Sequence, residues 1–395
     1  MDNFTHALVG AAVAELALPP GADRGTRRLF LAAAVVASNL PDLDLVYTGV
    51  TPAPLGYLLH HRGHTHTVAG LVAQAIVIAA FCLAGPLRRA VRAGGTARFS
   101  VLIGVSLALH VVLDSWNVYG VHPLWPADSR WFYGDAVFIF EPWLWLLLGT
   151  AAALNATTRA RTMAVVGILA VLFIALAAIG IVPVQALFAL FVGGGCLAWA
   201  GLSLTAPQRS TAALAGSAVF VTMMFGLSSV ARGRVRVADA GGRSFVDVVV
   251  NPNPGWPACW DVLTIERDPT SHELVFRRGT LSLAPDRVSP EECPSYRLEN
   301  RGRPGTASPL LWHGETRQPI AALRDLASRD CWVRAWLQFG RAPFVRDGEV
   351  ADLRFQSGVR RNFTAMDVVD GDRACPDALT HWVPPRADVL GTATD

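Results

Sequence analysis

Long unbroken apolar runs fill the first 231 positions, and short alternating runs follow them. Seven of the long runs predict membrane helices, with cores at 29–46, 68–87, 100–113, 136–154, 163–182, 184–205 and 211–231. The last three are free of charge over about twenty residues, enough to cross roughly 30 Å of hydrocarbon. The first four carry polar residues at one end. A shorter run at 5–18, apolar except for His6 and Glu15, ends at Pro19-Pro20 and reads as a re-entrant or bundle-packed segment. After residue 231 the stretches 244–250, 260–266, 273–277, 331–339 and 352–355 are β-branched, aromatic or alternating, and Pro/Gly/Asn clusters separate them. That pattern predicts strands. The expected fold is an α-helical multi-pass membrane bundle of seven or eight helices over 1–231. A mainly β soluble domain over 232–395 follows it.

Arginine placement orients the bundle. Arg24, Arg27 and Arg28, then Arg88, Arg89, Arg92 and Arg98, then Arg159, Arg161 and Arg209 fall at one end of an alternating set of spans. The positive-inside rule makes that end cytoplasmic and places the C-terminal domain outside. Arg232, Arg234 and Arg236 count against this. Four of six cysteines, Cys259, Cys293, Cys331 and Cys375, lie in the C-terminal domain. They suit one or two disulfides, with three pairings open. The net charge of +3, without a basic stripe, argues against a nucleic-acid partner. All 34 basic residues are arginine, which excludes Schiff-base and P-loop lysine chemistry.

The chemistry concentrates early. Seven of the ten histidines (His6, His60, His61, His64, His66, His110 and His122) precede residue 123, interleaved with Asp42, Asp44 and Asp114. Ionisable groups at membrane depth are costly and mark functional interiors. Imidazole mixed with carboxylate is a ligand set for borderline divalent metals. His61, His64 and His66 surround a glycine that lets several ring nitrogens meet. His110 and Asp114, four apart, share a helix face, and Asp42 and Asp44 follow a proline that ends a helix. Asp42, Asp135 and Glu141 are the candidate proton-transfer groups. Arg62 and Arg130 are candidate phosphate holders, and Asn117 lies in the same stretch. The tryptophans and tyrosines between 116 and 143 read as an interfacial aromatic belt.

These motifs, in this order, resemble the membrane-bound metal-dependent hydrolase family typified by YdjM. The matching residues are Asp2-Asn-Phe-Thr-His6-Ala-Leu-Val-Gly10, Asn39-Leu-Pro-Asp42-Leu-Asp44, His61-Arg-Gly-His64-Thr-His66, His110-x3-Asp114-x2-Asn117-x-Tyr119-Gly120 and Asp135-x5-Glu141-Pro-Trp143. The set also looks distantly like the zinc-dependent phospholipase C and P1 nuclease group, without that group's N-terminal tryptophan. The resemblance implies a bacterial inner-membrane protein with a divalent-metal site. Zinc is the expected ion, with manganese or iron as alternatives. The metal ligands expected are His6, Asp42, Asp44, His61, His64, His66, His110 and Asp114. The activity expected is hydrolysis of a phosphoester, lipid included, at the outer face of the membrane. A metal or proton transporter and a scaffold with a structural metal are the other classes.

Overall fold

The computed structural model describes residues 1–85, 87–237, 242–294, 308–355, 361–369 and 373–391. Its N-terminal part holds helices α1 (Asn3–Ala17), α2 (Arg24–Ala37), α3 (Leu55–His60), α4 (Val68–Ala84), α5 (Arg88–Gly94) and α6 (Thr96–Asp114). These are followed by α7 (Pro142–Asn155), α8 (Arg159–Ile179), α9 (Val184–Gly201) and α10 (Ala206–Val237). Among the described residues, α6, α8, α9 and α10 are long and apolar enough to cross a membrane. Counting each of two bent pairs as one span raises four to six.

That is fewer than the seven or eight expected, for local reasons. In 136–154 the helix starts only at Pro142, so α7 has 14 residues. Over 29–46 the chain leaves α2 and enters a 3-10 helix, Leu40–Val50, bent 41° from it. Pro41, at the start of that element, has no N–H to continue the ladder. The end of 68–87, at Pro86, lies outside the described residues. The 15-residue α1 packs within the bundle against α2, α6, α7 and α10. Gly10 permits its approach to α2, because a Cβ there would stand 2.8 Å from the Ala34 carbonyl oxygen.

The C-terminal part is built on an antiparallel sheet of β1 (Ser244–Asn253), β2 (Trp256–Asp268), β3 (Glu273–Ser282) and β4 (Leu310–Pro319), in that order. Both faces are covered. Val248 and Val250 of β1, with Trp260 and Val262 of β2, pack on Val221, Met224 and Val235 of α10. Val249, Leu263 and Ile265 pack the other way, on the layer of α11 (Ile320–Arg329) and α12 (Cys331–Trp336). Burial on both faces explains the unbroken valine run in β1. A second sheet joins β5 (Pro343–Arg346), β6 (Glu349–Asp352) and β7 (Met366–Asp367).

Two expected strands are not strands. Residues 331–339 begin as α12, with Asp330 capping Trp332 N and Val333 N, and 353–355 form a 3-10 turn. The cap outweighs the β-propensity of Trp332 and Val333. The cysteines pair as Cys259–Cys293 and Cys331–Cys375.

The two parts share buried cores. Leu55, Leu58, Leu59, Val118 and Tyr119 of the helical part sit in one cluster with Trp336, Phe339 and Trp382. Arg341 clamps the junction, donating to both Asp135 oxygens (2.9 Å each) and to Asp247 (2.9 Å). Arg232 also donates to Asp135, and Arg234 to the Ser282 and Leu283 carbonyls. Arg232 is engaged by Gly134 and Asp135 at the junction and Arg234 by the C-terminal part, so their charge follows that packing. Removing one partner from a buried ion pair leaves the other charge uncompensated. Arg341→Ala is therefore expected to lower stability by about 3 kcal/mol. Arg130→Ala, at a solvated site, is expected to change it by less than ~0.5 kcal/mol. Denaturant unfolding in detergent measures both.

Candidate metal centre

Four elements deliver the site. The 3-10 helix Leu40–Val50 turns Asp42 and Asp44 inward while Leu43, Leu45, Val46 and Val50 face out. A three-residue period alone does not separate those sets; the irregular turn after Pro41 does. In the histidine cluster the chain reverses at Arg62 (φ 58°) and Gly63. A Cβ on Gly63 would sit 2.6 Å from the His60 carbonyl oxygen. The reversal divides the histidines. His61 and His66 reach the carboxylates, whereas His60 bonds Thr51 Oγ1 (2.8 Å) and His64 lies against Trp125 and Trp382. Helix α6 brings His110 and Asp114 on one face, and α1 brings His6, its ring stacked on His110 at 3.9 Å.

Donor atoms of Asp42, His66, His110 and Asp114 all lie within 4.8 Å of one another. His66 Nε2 stands 3.3 Å from both Asp42 Oδ1 and Asp114 Oδ2, and His110 Nε2 stands 3.4 Å from the same two oxygens. The two imidazole nitrogens are 3.1 Å apart. A tetrahedral ion with bonds of ~2.0–2.1 Å sets donors about 3.3–3.4 Å apart, which these five separations approach.

Tautomers point the same way. His110 Nδ1 faces the Ser38 carbonyl at 2.7 Å, and a carbonyl only accepts, so Nδ1 carries the proton. His66 Nδ1 faces Asp44 Oδ2 (3.2 Å) and Thr65 Oγ1 (3.0 Å). Thr65 gives its own proton to Asp44, so His66 Nδ1 is again the donor. Both Nε2 atoms therefore meet between two carboxylates, an arrangement that a shared cation bound through their lone pairs would balance. Holding each ring through its outer N–H is how metal-binding histidines are oriented. Among the described residues, Asp114 Oδ2 and both His6 nitrogens are buried without a hydrogen bond, with His6 Nε2 3.3 Å from Asp114 Oδ1, so the site has ligand atoms to offer. The residues present fit a divalent metal.

A second set, Asp42, Asp44 and His61, adjoins the first and shares Asp42. His61 Nδ1 lies 3.0 Å from Asp44 Oδ1, leaving Nε2 free, and its side chain is 11% exposed. Asn3 Nδ2 donates to Asp42 Oδ2 (3.1 Å), a support not singled out from sequence. Its only signal was its place in the first motif.

Other candidates are placed elsewhere. Arg62 is buried, donating to Asp114 Oδ1 (3.0 Å), to the Asp114 carbonyl and to Asn117 Oδ1 (both 3.1 Å). It and Asn117 brace Asp114. The Met1 α-amino group also donates to Asp114. Arg130 is 76% exposed on its side chain and pairs with Asp128. Asp135 is held by Arg341 and Arg232. Glu141 caps α7, accepting from Trp143 N (3.3 Å) and from Gly255 N (3.2 Å) in the β1–β2 turn. His122 packs on Trp131 and Trp382, and burial lowers its pKa to about 3. The aromatic stretch at 116–143 contributes to the junction between the two parts: Trp131 Nε1 donates to the Gln338 carbonyl.

Asp114→Ala and His110→Ala are each expected to reduce bound metal below about a tenth of wild type, by plasma mass spectrometry of purified protein. His64→Ala is expected to leave it unchanged. Burial raises the Glu141 pKa to about 8, against the pull of its two backbone donors. A folded value above the ordinary ~4.3 means the folded state holds a proton that the unfolded state has lost. Stability then falls as pH rises from about 4 toward 8. Glu141→Gln is expected to flatten that slope in thermal melts taken across this range.

The family described as YdjM inner membrane protein matches residues 1–187. The Bacillus subtilis (strain 168) protein named "Uncharacterized protein YfhP" is 26% identical over 149 residues, 37% of this chain. The match spans 43% of that relative's length. No solved structure matches. All six residues of the two donor sets fall within residues 1–187, the region similar to the YdjM inner membrane protein family.

Proposed function

We propose that the protein is a multi-pass, metal-dependent hydrolase of the bacterial cytoplasmic membrane, cleaving a phosphoester of an amphiphilic substrate. Its C-terminal domain lies outside the cytoplasm in this reading. The observation that carries the proposal is the meeting of two imidazole lone pairs and two carboxylates at one buried point, with His61 beside it on the accessible side. Two nitrogens and two oxygens at near-tetrahedral spacing suit zinc best. Such an ion, when bound, would act as a Lewis acid where one of the four side chains yields its place to a water, and would draw that water's pKa toward neutrality.

The chain's own residues supply the rest. Asp42, His66, His110 and Asp114 hold the ion, and Asn3 and Arg62 fix the two carboxylates. Asp44 orients His61 through Nδ1, so His61 Nε2 is free to take a proton from the attacking water. His61 replaces Glu141 and Asp135 in that role, because both acids are committed to contacts at the junction. The substrate's apolar part is accommodated by the outward face of the Leu40–Val50 turn, where Leu43, Leu45, Val46 and Val50 are exposed beside Tyr57. With Arg62 and Arg130 both engaged, a bound metal would supply the positive charge that meets a phosphoryl group.

The test is hydrolysis of phospholipid in mixed micelles by metal-loaded protein. His61→Gln is expected to lower kcat by about 100-fold or more, with metal content at the four-donor set unchanged. Wild-type protein that is fully loaded and folded, yet inactive on phospholipid and soluble phosphoesters, would leave a structural metal as the better reading. Metal flux in liposomes would favour a transporter.

A further inference from the structure

At the far end of the bundle from the metal centre, α1, α2, α7, α8 and α10 enclose a cavity of about 290 Å³. Glu15, on its wall, lies nine positions after His6 in α1, about 14 Å along the axis at 1.5 Å per residue. Leu8, Leu31, Leu148 and Val165 line its depth. Its rim carries Arg27, Asn155, Thr157 and Arg161.

The charges are unevenly used. Arg27 Nη2 donates to Glu15 Oε1 (2.5 Å) and to the Asn155 carbonyl (3.1 Å), while its buried Nε has no hydrogen-bond partner. Glu15 is spent on that pair. Arg161 is exposed and makes one long contact, with Thr157 Oγ1 at 3.5 Å. It lies in the first turn of α8, capped by Thr158, where the helix dipole adds positive potential. Arg24, Arg28 and Arg159 are exposed nearby in sequence. The rim therefore carries a net positive charge over an apolar chamber.

We propose that this cavity binds one anionic phospholipid, its phosphate on Arg161 and Arg27 and part of an acyl chain between α1, α7 and α8. Basic pockets between membrane helices are recognition sites for anionic headgroups. A zwitterionic lipid brings its own cation to the arginines and gains less. A soluble phosphate lacks the chain that fills the chamber. The site is separate from the metal centre and independent of any hydrolytic activity.

The experiment uses the full chain in detergent, with bound lipid counted by native mass spectrometry and stability followed by thermal melting. The probes are phosphatidylglycerol, phosphatidylcholine and glycerol 3-phosphate. Phosphatidylglycerol is expected to bind at one copy and to raise Tm more than phosphatidylcholine, and glycerol 3-phosphate to leave Tm unchanged. Arg161→Gln is expected to weaken phosphatidylglycerol binding about fivefold, the share of one arginine near an anionic lipid. Ala164→Phe, at an exposed position on the cavity wall, is expected to exclude the lipid while keeping the arginines. Both variants should keep wild-type metal content. Equal effects of the two lipids, a Tm rise with glycerol 3-phosphate alone, or wild-type lipid binding in both variants would each overturn the proposal.

Discussion

Burying Asp114 is the constraint on which the rest of the structure depends. A carboxylate taken out of water must be met by hydrogen bonds and opposite charge, or it destabilises the fold. Asp114 is fully buried at the end of α6. Arg62 reaches it from the histidine loop, His6 from α1, and His66 and His110 converge on its other oxygen. Arg62 can do so only because the chain reverses at its own positive φ and at Gly63. Residues separated by more than a hundred positions are thus tied to one carboxyl group.

The polar interior also explains why the C-terminal part sits where it does. Apolar residues flanking the loops that carry the site pack into the core of the second part. Trp382 Nε1 donates to the Leu59 carbonyl (2.8 Å), and Arg354 donates to the Val118 carbonyl (2.8 Å). Leu55, Leu58 and Leu59 precede the histidine cluster and pack in the same core as Phe339 and Trp336. Dry walls of this kind strengthen every electrostatic interaction within the site. The C-terminal part therefore packs against the loops that carry the donor set, held by Arg341 on Asp135 and Asp247.

Much of the site was legible in the order of residues. His110 and Asp114 share a helix face by spacing alone, and Asp42 and Asp44 both turn inward as the Pro41 break suggested. His61 and His66 met them as expected. His64 did not, because a histidine cluster in a turn has no period, and its partners, Trp125 and Trp382, are remote in sequence. Asp135 and Glu141 look like unpartnered acids in an apolar stretch, but their partners Arg341 and Gly255 lie more than a hundred residues further on. The helix at Cys331 was hidden because Trp332, Val333 and Trp336 favour strand, and one Asp cap outweighs them.

Sequence alone determined the membrane character of the N-terminal part, the histidine and aspartate types of its donor cluster, the mainly β character of the C-terminal part and the end of the bundle where arginine collects. Each follows from composition or from short-range spacing, which a linear pattern records directly. Tertiary structure decided which donors share a point, which arginines are free, how the cysteines pair and which apolar stretches are long enough to span. Those outcomes depend on contacts between distant segments. A buried charge takes its partner from whichever segment the packing brings within reach, and no local pattern records that choice.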